Sequence, residues 1–563
     1  MILFSKYLID RELLDKLGFQ QLTTDQIIEH IQKEISYCDS RPWHESSNDM
    51  VALINLYNLV KEEEVMEAES KAAAGNMTTP SLLRSLLEHR AKNASTLHFE
   101  NQAHEKLHAA YHWLSKNAII APHFDIEYGR KIVIKNGAND EIELTAEGEN
   151  YSSFILLPLL NLAVCRRALL VGGPGKGKTT SAILMSLISG MDHDTVRKSI
   201  QRGHPQLSVS DLLGNPLPSD MLKAERLSDI KVSFRDWIQK RNHIIDEYNR
   251  IPTKTQSALL SLLAEGYAEM FDQYIHTGRS SWFLTANDDM GGGTFQVIEA
   301  LKDRIDITIR AVPFYSNYLA DLLSRLELNK DLDRMIPNAI TFSESELNQI
   351  YDSILKIKVP VDVMDFLGFF SASFNYCRMA SAHFEHKNKD TLRLSGKTVS
   401  DVCNEKCPLD KKEHLCTQSE NGLSTRSYQA LLHFAKALAY FRSKSEVCLE
   451  DIEQLIPWCL HEKLIQNRRS PFFEIKDGGL LLNDRVAWLK AAFHKAKKQF
   501  FKYQPIKSQV KNLLTDKKVT SESIAATIKK LMADNELSGA LYEDLISLKA
   551  EFANRENRKH EGV

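Results

Sequence analysis

The stretch "ALLVGGPGKGKTTSAILMSLISG", residues 168–190, carries residue types suited to holding phosphate. From Gly172 to Thr179 it fits the spacing G-x-x-x-x-G-K-[ST] in full. Glycines let a backbone turn tightly and aim successive N–H groups at anionic oxygens, and the helix that starts there adds the positive end of its dipole. On this reading Gly172, Gly173, Pro174, Gly175, Lys176, Gly177, Lys178, Thr179 and Thr180 cradle a nucleotide. Lys178 bridges its β- and γ-phosphates, and the Thr179 hydroxyl holds Mg²⁺. A glycine-rich turn can match by chance, but an apolar strand before it and a long helix after it are the context the motif requires.

Hydrolysis needs a carboxylate on a neighbouring strand, and "NHIIDEYNR" supplies two. Asp246 would reach the Mg²⁺ shell, and Glu247 would orient or deprotonate the attacking water. The bland alternative is a surface pair ending a strand; the helical "TQSALLSLLAEG" that follows favours the catalytic one. In "SWFLTANDD" a strand ends at Asn287, whose amide could touch γ-phosphate and water or could simply form a turn. Arg304 precedes a further strand in "ALKDRIDITIR". A strand-edge arginine is usually a solvated charge; as an arginine finger completing a neighbouring subunit's site it would be worth about 10³–10⁵ in rate.

These residues need strands to carry them. Candidate strands at Ala168–Gly172, Val196–Arg202, His243–Asp246, Trp282–Ala286 and Ile305–Val312 alternate with helical stretches. That pattern predicts an α/β core over 151–312, an open and mostly parallel sheet covered on both faces. Before it, residues 1–125 read as helical, and alternation on either side of Asn136–Gly137 predicts a hairpin over 126–150. After it, 313–465 reads as a helical lid with a polar, cysteine-bearing insertion at about 385–422. Residues 466–563 form a helical, lysine-rich extension whose last ten residues look frayed. The chain of 563 residues is long enough for about three or four domains. Its net charge of −3 gives no global field toward nucleic acid or an anionic membrane. The longest apolar run, Phe154–Val164, is too short for a bilayer span of about 20 residues and reads as a buried helix. With no secretory leader at the start, the expected compartment is the cytoplasm.

Four stretches resemble the MoxR-type AAA+ ATPases, in the clade that includes magnesium-chelatase ATPase subunits. They are "LLVGGPGKGKTT", "IIDEYNRIPTKTQSALLSLLAEG", "TANDDMGGGTFQVIEALKDRID" and "LSTRSYQALLHFAKALAYFRSKSEVCLEDIEQLI". The second is the most specific, and the likeness spans about 150–465. It implies ATP and Mg²⁺ as ligands and a ring, usually a hexamer, with ATP between subunits. Arg304 would then act in trans, and Arg426 would read the nucleotide from the lid as sensor two. "GHPQLSVSDLLGNPLPSDMLKAERLSD" and "EGYAEMFDQYIHTGR" fall where this clade places an insert in its second helix and a hairpin before sensor one. Relatives often work with a partner that carries a von Willebrand factor A domain. The resemblance thus implies ATP-driven remodelling or maturation of a client protein. The family's "LDRF" reads "KDRI" here, and Thr425 stands where a proline is usual before the sensor-two arginine.

Cys403, Cys407 and Cys416, with His414 between them, could bind zinc, or could anchor an iron–sulfur cluster with a further ligand such as Cys377 or Cys448. The spacing fits no standard finger, and ordinary thiols in a polar loop are the alternative. The basic tail holds Trp488, Phe493, Phe500 and Phe501. It could bind nucleic acid, but an amphipathic helix with a solvated lysine face is favoured, so nucleic acid is not an expected partner. His44 reads as a turn or core histidine. Two rival functions remain: a nucleotide-gated assembly scaffold with little turnover, and a nucleic-acid-stimulated motor or defence ATPase.

Overall fold

The structure, a computed structural model, describes residues 102–118, 123–135, 141–222, 230–287, 295–311, 323, 336–381, 383, 385–403, 406–474, 478–516, 519–532 and 539–561. The expectations for residues 1–101, His44 included, and for the Asn136–Gly137 turn lie outside the described residues. Internal contacts divide the chain into two units. One comprises Met1–Ala163, Pro174–Lys198 and Ala311–Asp352; the other comprises Val164–Gly173, Ser199–Arg310 and Ser353–Val563.

In the first unit, α1 (Gln102–Trp113) ends in a wider π-type turn, Leu114–Ala118. Strands β1 (Ile126–Lys135) and β2 (Glu141–Tyr151) pair antiparallel from Ile126↔Tyr151 to Lys135↔Glu141, as the alternating pattern predicts. Asp125 starts α2 (Ser153–Val164) by accepting from both the Ser153 amide and its hydroxyl, at 2.8 and 2.7 Å. Tyr111 accepts from the Ser152 amide at 2.8 Å. α2 is the expected buried helix, apolar and covered from Phe154 to Val164. It is followed by α3 (Lys178–Ile188) and α4 (His193–Ser199).

α4 corrects the strand expected at Val196–Arg202, of which only Gln201–Arg202 is extended. Asp192 starts the helix: its carboxylate accepts from the Thr195 amide at 2.9 Å and its carbonyl from the Val196 amide at 3.0 Å. An aspartate capping three residues ahead outweighs the strand preference of one valine.

The second unit holds the sheet. Its strands are β3 (Arg167–Val171), β4 (Gln201–Arg202), β7 (Asn242–Asp246), β10 (Ser281–Ala286) and β11 (Ile307–Arg310). They lie in the order β11-β3-β10-β7-β4, and every pairing is parallel. β10 is buried along its whole length, which is why "SWFLTA" shows no polar alternation. β11 starts later than expected because α7 (Glu299–Arg304) occupies the preceding turn. α6 (Thr253–Glu265) covers the sheet through Leu259, Leu262 and Leu263, packed with Leu169, Ile245 and Leu284.

Two short hairpins project from this unit. The first follows α5 (Val209–Leu213) and pairs β5 (Gly214–Pro216) with β6 (Val232–Phe234). The second pairs β8 (Tyr267–Met270) with β9 (Gln273–His276) around Phe271 and Asp272, both at positive φ. This is the hairpin expected before the strand bearing Asn287. Gln273 joins the two, accepting from the Val232 amide at 3.2 Å and donating to the Ile230 carbonyl.

The helical remainder comprises α8 (Glu344–Lys356), α9 (Val361–Asn375), α10 (Lys389–Leu394), α11 (Thr425–Phe441) and α12 (Leu449–Leu460). Then come α13 (Arg485–Thr515), α14 (Ser521–Met532) and α15 (Gly539–Glu561). The helix running to Glu561 corrects the frayed end expected there. In α13, Trp488, Phe493 and Phe500 are buried; Phe493 and Phe500 meet Phe366 edge-on at ring distances of 5.1 and 5.5 Å. Only Phe501 of the four aromatics is exposed, so this helix is the amphipathic packing element the sequence favours. Among the described residues, no helix is long and apolar enough to cross a membrane.

Between α11 and α12, Arg442 pairs with Asp451 at 2.8 Å, and both side chains are buried. The second Asp451 oxygen accepts from the Cys448 amide at 2.9 Å and so caps α12. Asp451→Ala would take away the carboxylate partner of a largely buried guanidinium and remove the cap. The expected loss is about 3–5 kcal/mol in denaturant unfolding; an unchanged midpoint would contradict the buried pair.

Candidate functional site

The phosphate loop leaves β3 at Val171, and the Gly172 amide donates to the Ala286 carbonyl at the end of β10, at 3.3 Å. Gly175 and Gly177 have φ of +74° and +73°. A Cβ at either position would meet nothing within 4 Å, so backbone conformation alone demands glycine there. Gly177 is the left-handed residue that opens α3, and its carbonyl accepts from the Ser181 amide at 2.8 Å. Lys178 is the first residue of α3 and is largely buried; Thr179 follows it, half-buried.

The strand ends that should carry the acids form one hydrogen-bonded corner. β7 ends at Asp246 and the adjacent β10 at Ala286, so both chains leave the sheet at its carboxyl edge. The Thr285 hydroxyl donates to Asp246 Oδ1 at 2.7 Å and accepts from the Glu247 amide at 2.9 Å. Glu247 sits at φ 53°, in the left-handed region that a branched or long side chain rarely adopts. Asn287 Nδ2 donates to Glu247 Oε1 at 2.8 Å, and Arg250 Nε lies 3.3 Å from Glu247 Oε2. Gly203 is pressed against this turn: its amide donates to the Asp246 carbonyl at 2.7 Å, and a Cβ there would collide with the Glu247 carbonyl oxygen. The structure brings Asp246, Glu247 and Asn287 together at one corner. The sequence reading misses Thr285, Arg250 and Gly203. Thr285 was legible in principle, as a polar residue near the end of a largely apolar strand.

Arg304 closes α7, with Nη1 donating to the Ala300 carbonyl at 2.8 Å. Arg426, in the first turn of α11, pairs with Asp303 at 3.0 Å. Ser424, which caps α11, donates to the other Asp303 oxygen at 2.8 Å, and Lys463 reaches the Asp303 carbonyl at 3.4 Å. The residue beside Arg304 is therefore the one that α11 grips. The sequence gives no sign of this, because Asp303 and Arg426 are far apart along the chain.

Among the cysteines, Cys377 and Cys403 share one apolar cluster, and Cys407 and Cys416 share a second. Cys448 instead lies 3.1 Å from Asp451. His414 precedes the turn Leu415–Gln418, and its carbonyl accepts from Thr417 Oγ1 at 2.9 Å. Among the described residues, no group of three or more His, Cys, Asp or Glu side chains stands as a metal site. A cavity of ≈ 510 Å³ lies elsewhere, lined by Val209, Leu213, Ala258, Tyr267 and Met270, and none of the predicted catalytic residues lines it.

Residues 411–484 match the family model of the AAA lid domain. No curated protein matches the chain. Among solved structures, the chain is similar to a candidate ATPase from Cytophaga hutchinsonii at 19% identity and a TM-score of 0.41, covering 60% of this chain and 88% of that one. The parallel sheet, its flanking helices and the matched lid together give the α/β architecture of an AAA+ core and lid.

Thr285→Val should free the Glu247 amide. A lost hydrogen bond of about 1–1.5 kcal/mol corresponds to roughly ten-fold faster amide exchange in a peptide covering Ile244–Arg250. Unchanged exchange there would mean that the hydroxyl does not hold the corner.

Proposed function

We propose that the chain is a Mg²⁺-dependent ATPase of the AAA+ type that acts as a ring and resembles MoxR-type proteins. The observation that carries the reading is the corner in which Thr285 joins Asp246 to Glu247 while Asn287 holds the Glu247 carboxylate. A full phosphate loop leaves the neighbouring strand β3. The matched lid domain supports the same class.

Thr179 and Asp246 offer the hard oxygen donors that Mg²⁺ prefers and would hold it. Bound there, the ion would neutralise phosphate charge as the γ-phosphoryl group departs. Lys178, largely buried, would bind phosphate as a point charge. Each Glu247 oxygen already holds one partner, Asn287 on one and Arg250 on the other, and each keeps a lone pair through which Glu247 would take a proton from water. Asn287 would pass from that carboxylate to the γ-phosphate. Arg426 would exchange Asp303 for the nucleotide, which frees the turn bearing Arg304. That exchange is cheap, because the Arg426–Asp303 pair is half-exposed and such pairs contribute about 0–1 kcal/mol.

The finer reading extends to the biology. A hexameric ring with Arg304 acting in trans, a cytoplasmic location, and remodelling of a client or of a partner with a von Willebrand factor A domain follow from the family resemblance. The burial of Trp488, Phe493 and Phe500 removes the stacking surface that a nucleic-acid motor would need from the tail.

Phosphate release by the assembled protein tests the proposal. Lys178→Ala should abolish nucleotide binding. Glu247→Gln should bind ATP like the parent but turn over about 10²–10⁴-fold more slowly. Arg304→Ala should lose about 10³-fold, with activity recovered on mixing with Glu247→Gln subunits if the finger acts in trans. Parental turnover in all three would defeat the reading. ATP binding with negligible release by the parent would favour the scaffold instead.

Asp303→Ala supplies a separate check. Untethering Arg426 should tighten nucleotide binding by about two- to five-fold, the size of a half-exposed ion pair. Weaker binding would show that Asp303 positions Arg426 rather than competing with nucleotide for it.

A further inference from the structure

We propose that His433 and Arg166 form a proton-sensitive latch that holds α11 against the root of β3. Arg166 Nη2 lies 2.6 Å from His433 Nε2, and His433 Nδ1 lies 2.7 Å from the Gln429 carbonyl. These partners decide where the ring carries its hydrogen. A guanidinium can only donate and a carbonyl can only accept. Nδ1 therefore donates to Gln429, and the Nε2 lone pair accepts from Arg166. Only the neutral imidazole can do both. A proton added at Nε2 would set two cationic donors face to face at hydrogen-bond distance. The imidazolium would keep its bond to Gln429, one turn earlier on the same helix, and lose the bond that leaves the helix.

The surroundings favour the neutral ring. Burial is the largest effect on His433 and the Arg166 charge the next, and together they hold its proton affinity below the ordinary histidine range. Lys436, further along α11, acts in the same direction, and its ammonium donates to the Leu355 carbonyl at 2.9 Å. Asp306, just before β11, opposes them, but its carboxylate is bound by Arg167 at 2.8 Å. From α12, the Cys459 thiol acts on Asp306; burial holds it up at about 12, so it brings no charge. The ring is only partly covered, so protons reach it. The sign follows from these shifts. Released from Arg166, His433 titrates at about 6.5; latched, it titrates lower. The latch is at full strength above about pH 6.5 and weakens as pH falls below that value.

Position gives the latch its consequence. The Arg167 amide and Nε donate to Asp306, and its Nη1 donates to the Leu263 carbonyl at the end of α6. The root of β3 is thus fixed, and release frees the helix rather than the strand. His433 follows Arg426 by about two helical turns, which puts both on one face of α11. The inference rests here on the reading that Arg426 passes from Asp303 to nucleotide. Once that exchange is made, His433 still ties α11 to the strand that feeds the phosphate loop. Acid would loosen the helix that presents Arg426 and so weaken nucleotide binding.

The latch is tested first without nucleotide, by C2-hydrogen exchange of histidine in the full chain. The peptide Ser427–Lys436 contains His433 as its one histidine. Its titration midpoint should lie below about 6.5, and Arg166→Met should raise it. A parental midpoint at or above that value, or one that Arg166→Met leaves unmoved, overturns the proposal. Backbone exchange of the same peptide, corrected for intrinsic rates, should be up to about ten-fold faster at pH 5.5 than at pH 7.5. His433→Gln can accept from Arg166 without titrating, so it should suppress that acceleration; equal acceleration in the variant overturns the latch. Should His433→Gln fail to fold, the midpoint comparison decides alone. ATP affinity over the same pH interval should then fall up to about ten-fold further in the parent than in His433→Gln, a comparison that cancels titration of ATP itself. Equal losses overturn the link to nucleotide. A chain that shows the latch yet binds no nucleotide defeats the ATPase reading and leaves the latch standing.

Discussion

One hydroxyl proton organises the acidic corner. Because Thr285 donates to Asp246, its lone pairs face the Glu247 amide, and the two bonds fix both residues at once. They also hold Glu247 in a left-handed conformation that costs about 1–3 kcal/mol for a non-glycine residue. The strain has a geometric product. It turns the Glu247 side chain away from the line of β7, toward Asn287 at the end of the neighbouring strand. Gly203, pressed against the same turn, leaves no room for relaxation. A parallel sheet makes the arrangement available, since Leu284 pairs with Ile245 and the two strands then end side by side. Strand order finishes it. With β10 between β3 and β7, the loop that leaves β3 and the acids that leave β7 flank the same central strand.

Two ion pairs in the helical part of the second unit show how burial sorts structure from switching. Arg442–Asp451 is enclosed, doubly used as a cap, and expensive to break. Arg426–Asp303 is half-exposed and bound by one nitrogen. Only the second can be exchanged at small cost when a more highly charged partner arrives. Asp303 also accepts from Ser424 and receives Lys463 at its carbonyl, so it ties α11 and the Lys463 turn to the residue next to Arg304.

The sequence was most legible where a local rule had no competitor. Glycines forced to positive φ, an apolar run entering them, and strands buried on both faces all left direct marks. α4 was misread because one capping aspartate decided a segment whose valine suggested a strand. Thr285 was visible but unweighted, since threonine is an ordinary strand residue until its partners are known. Asp303, Gly203 and Cys377 could not be assigned roles from spacing. Each acts on a residue distant in sequence, and only packing reveals the pair. The cysteines show the limit well: Cys403, Cys407 and Cys416 stand out by proximity, while only the fold shows that Cys377 packs with Cys403 and that Cys448 contacts Asp451 instead.

The boundary of the matched lid falls among those thiols. The match begins at residue 411, so Cys416 lies inside the lid while Cys377, Cys403 and Cys407 lie before it. The intervening segment is fastened at both ends by few elements: α10 is a short helix, and Val399–Val402 is a single turn. Ordering such a segment costs backbone entropy that its small apolar clusters only partly offset. Beyond that segment the two ion pairs differ in firmness: Arg442–Asp451 is enclosed, while Arg426–Asp303, which ties α11 to α7, is half-exposed. An ion pair open to solvent yields at a cost of about 0–1 kcal/mol, so α11 has its softest joint where it meets α7.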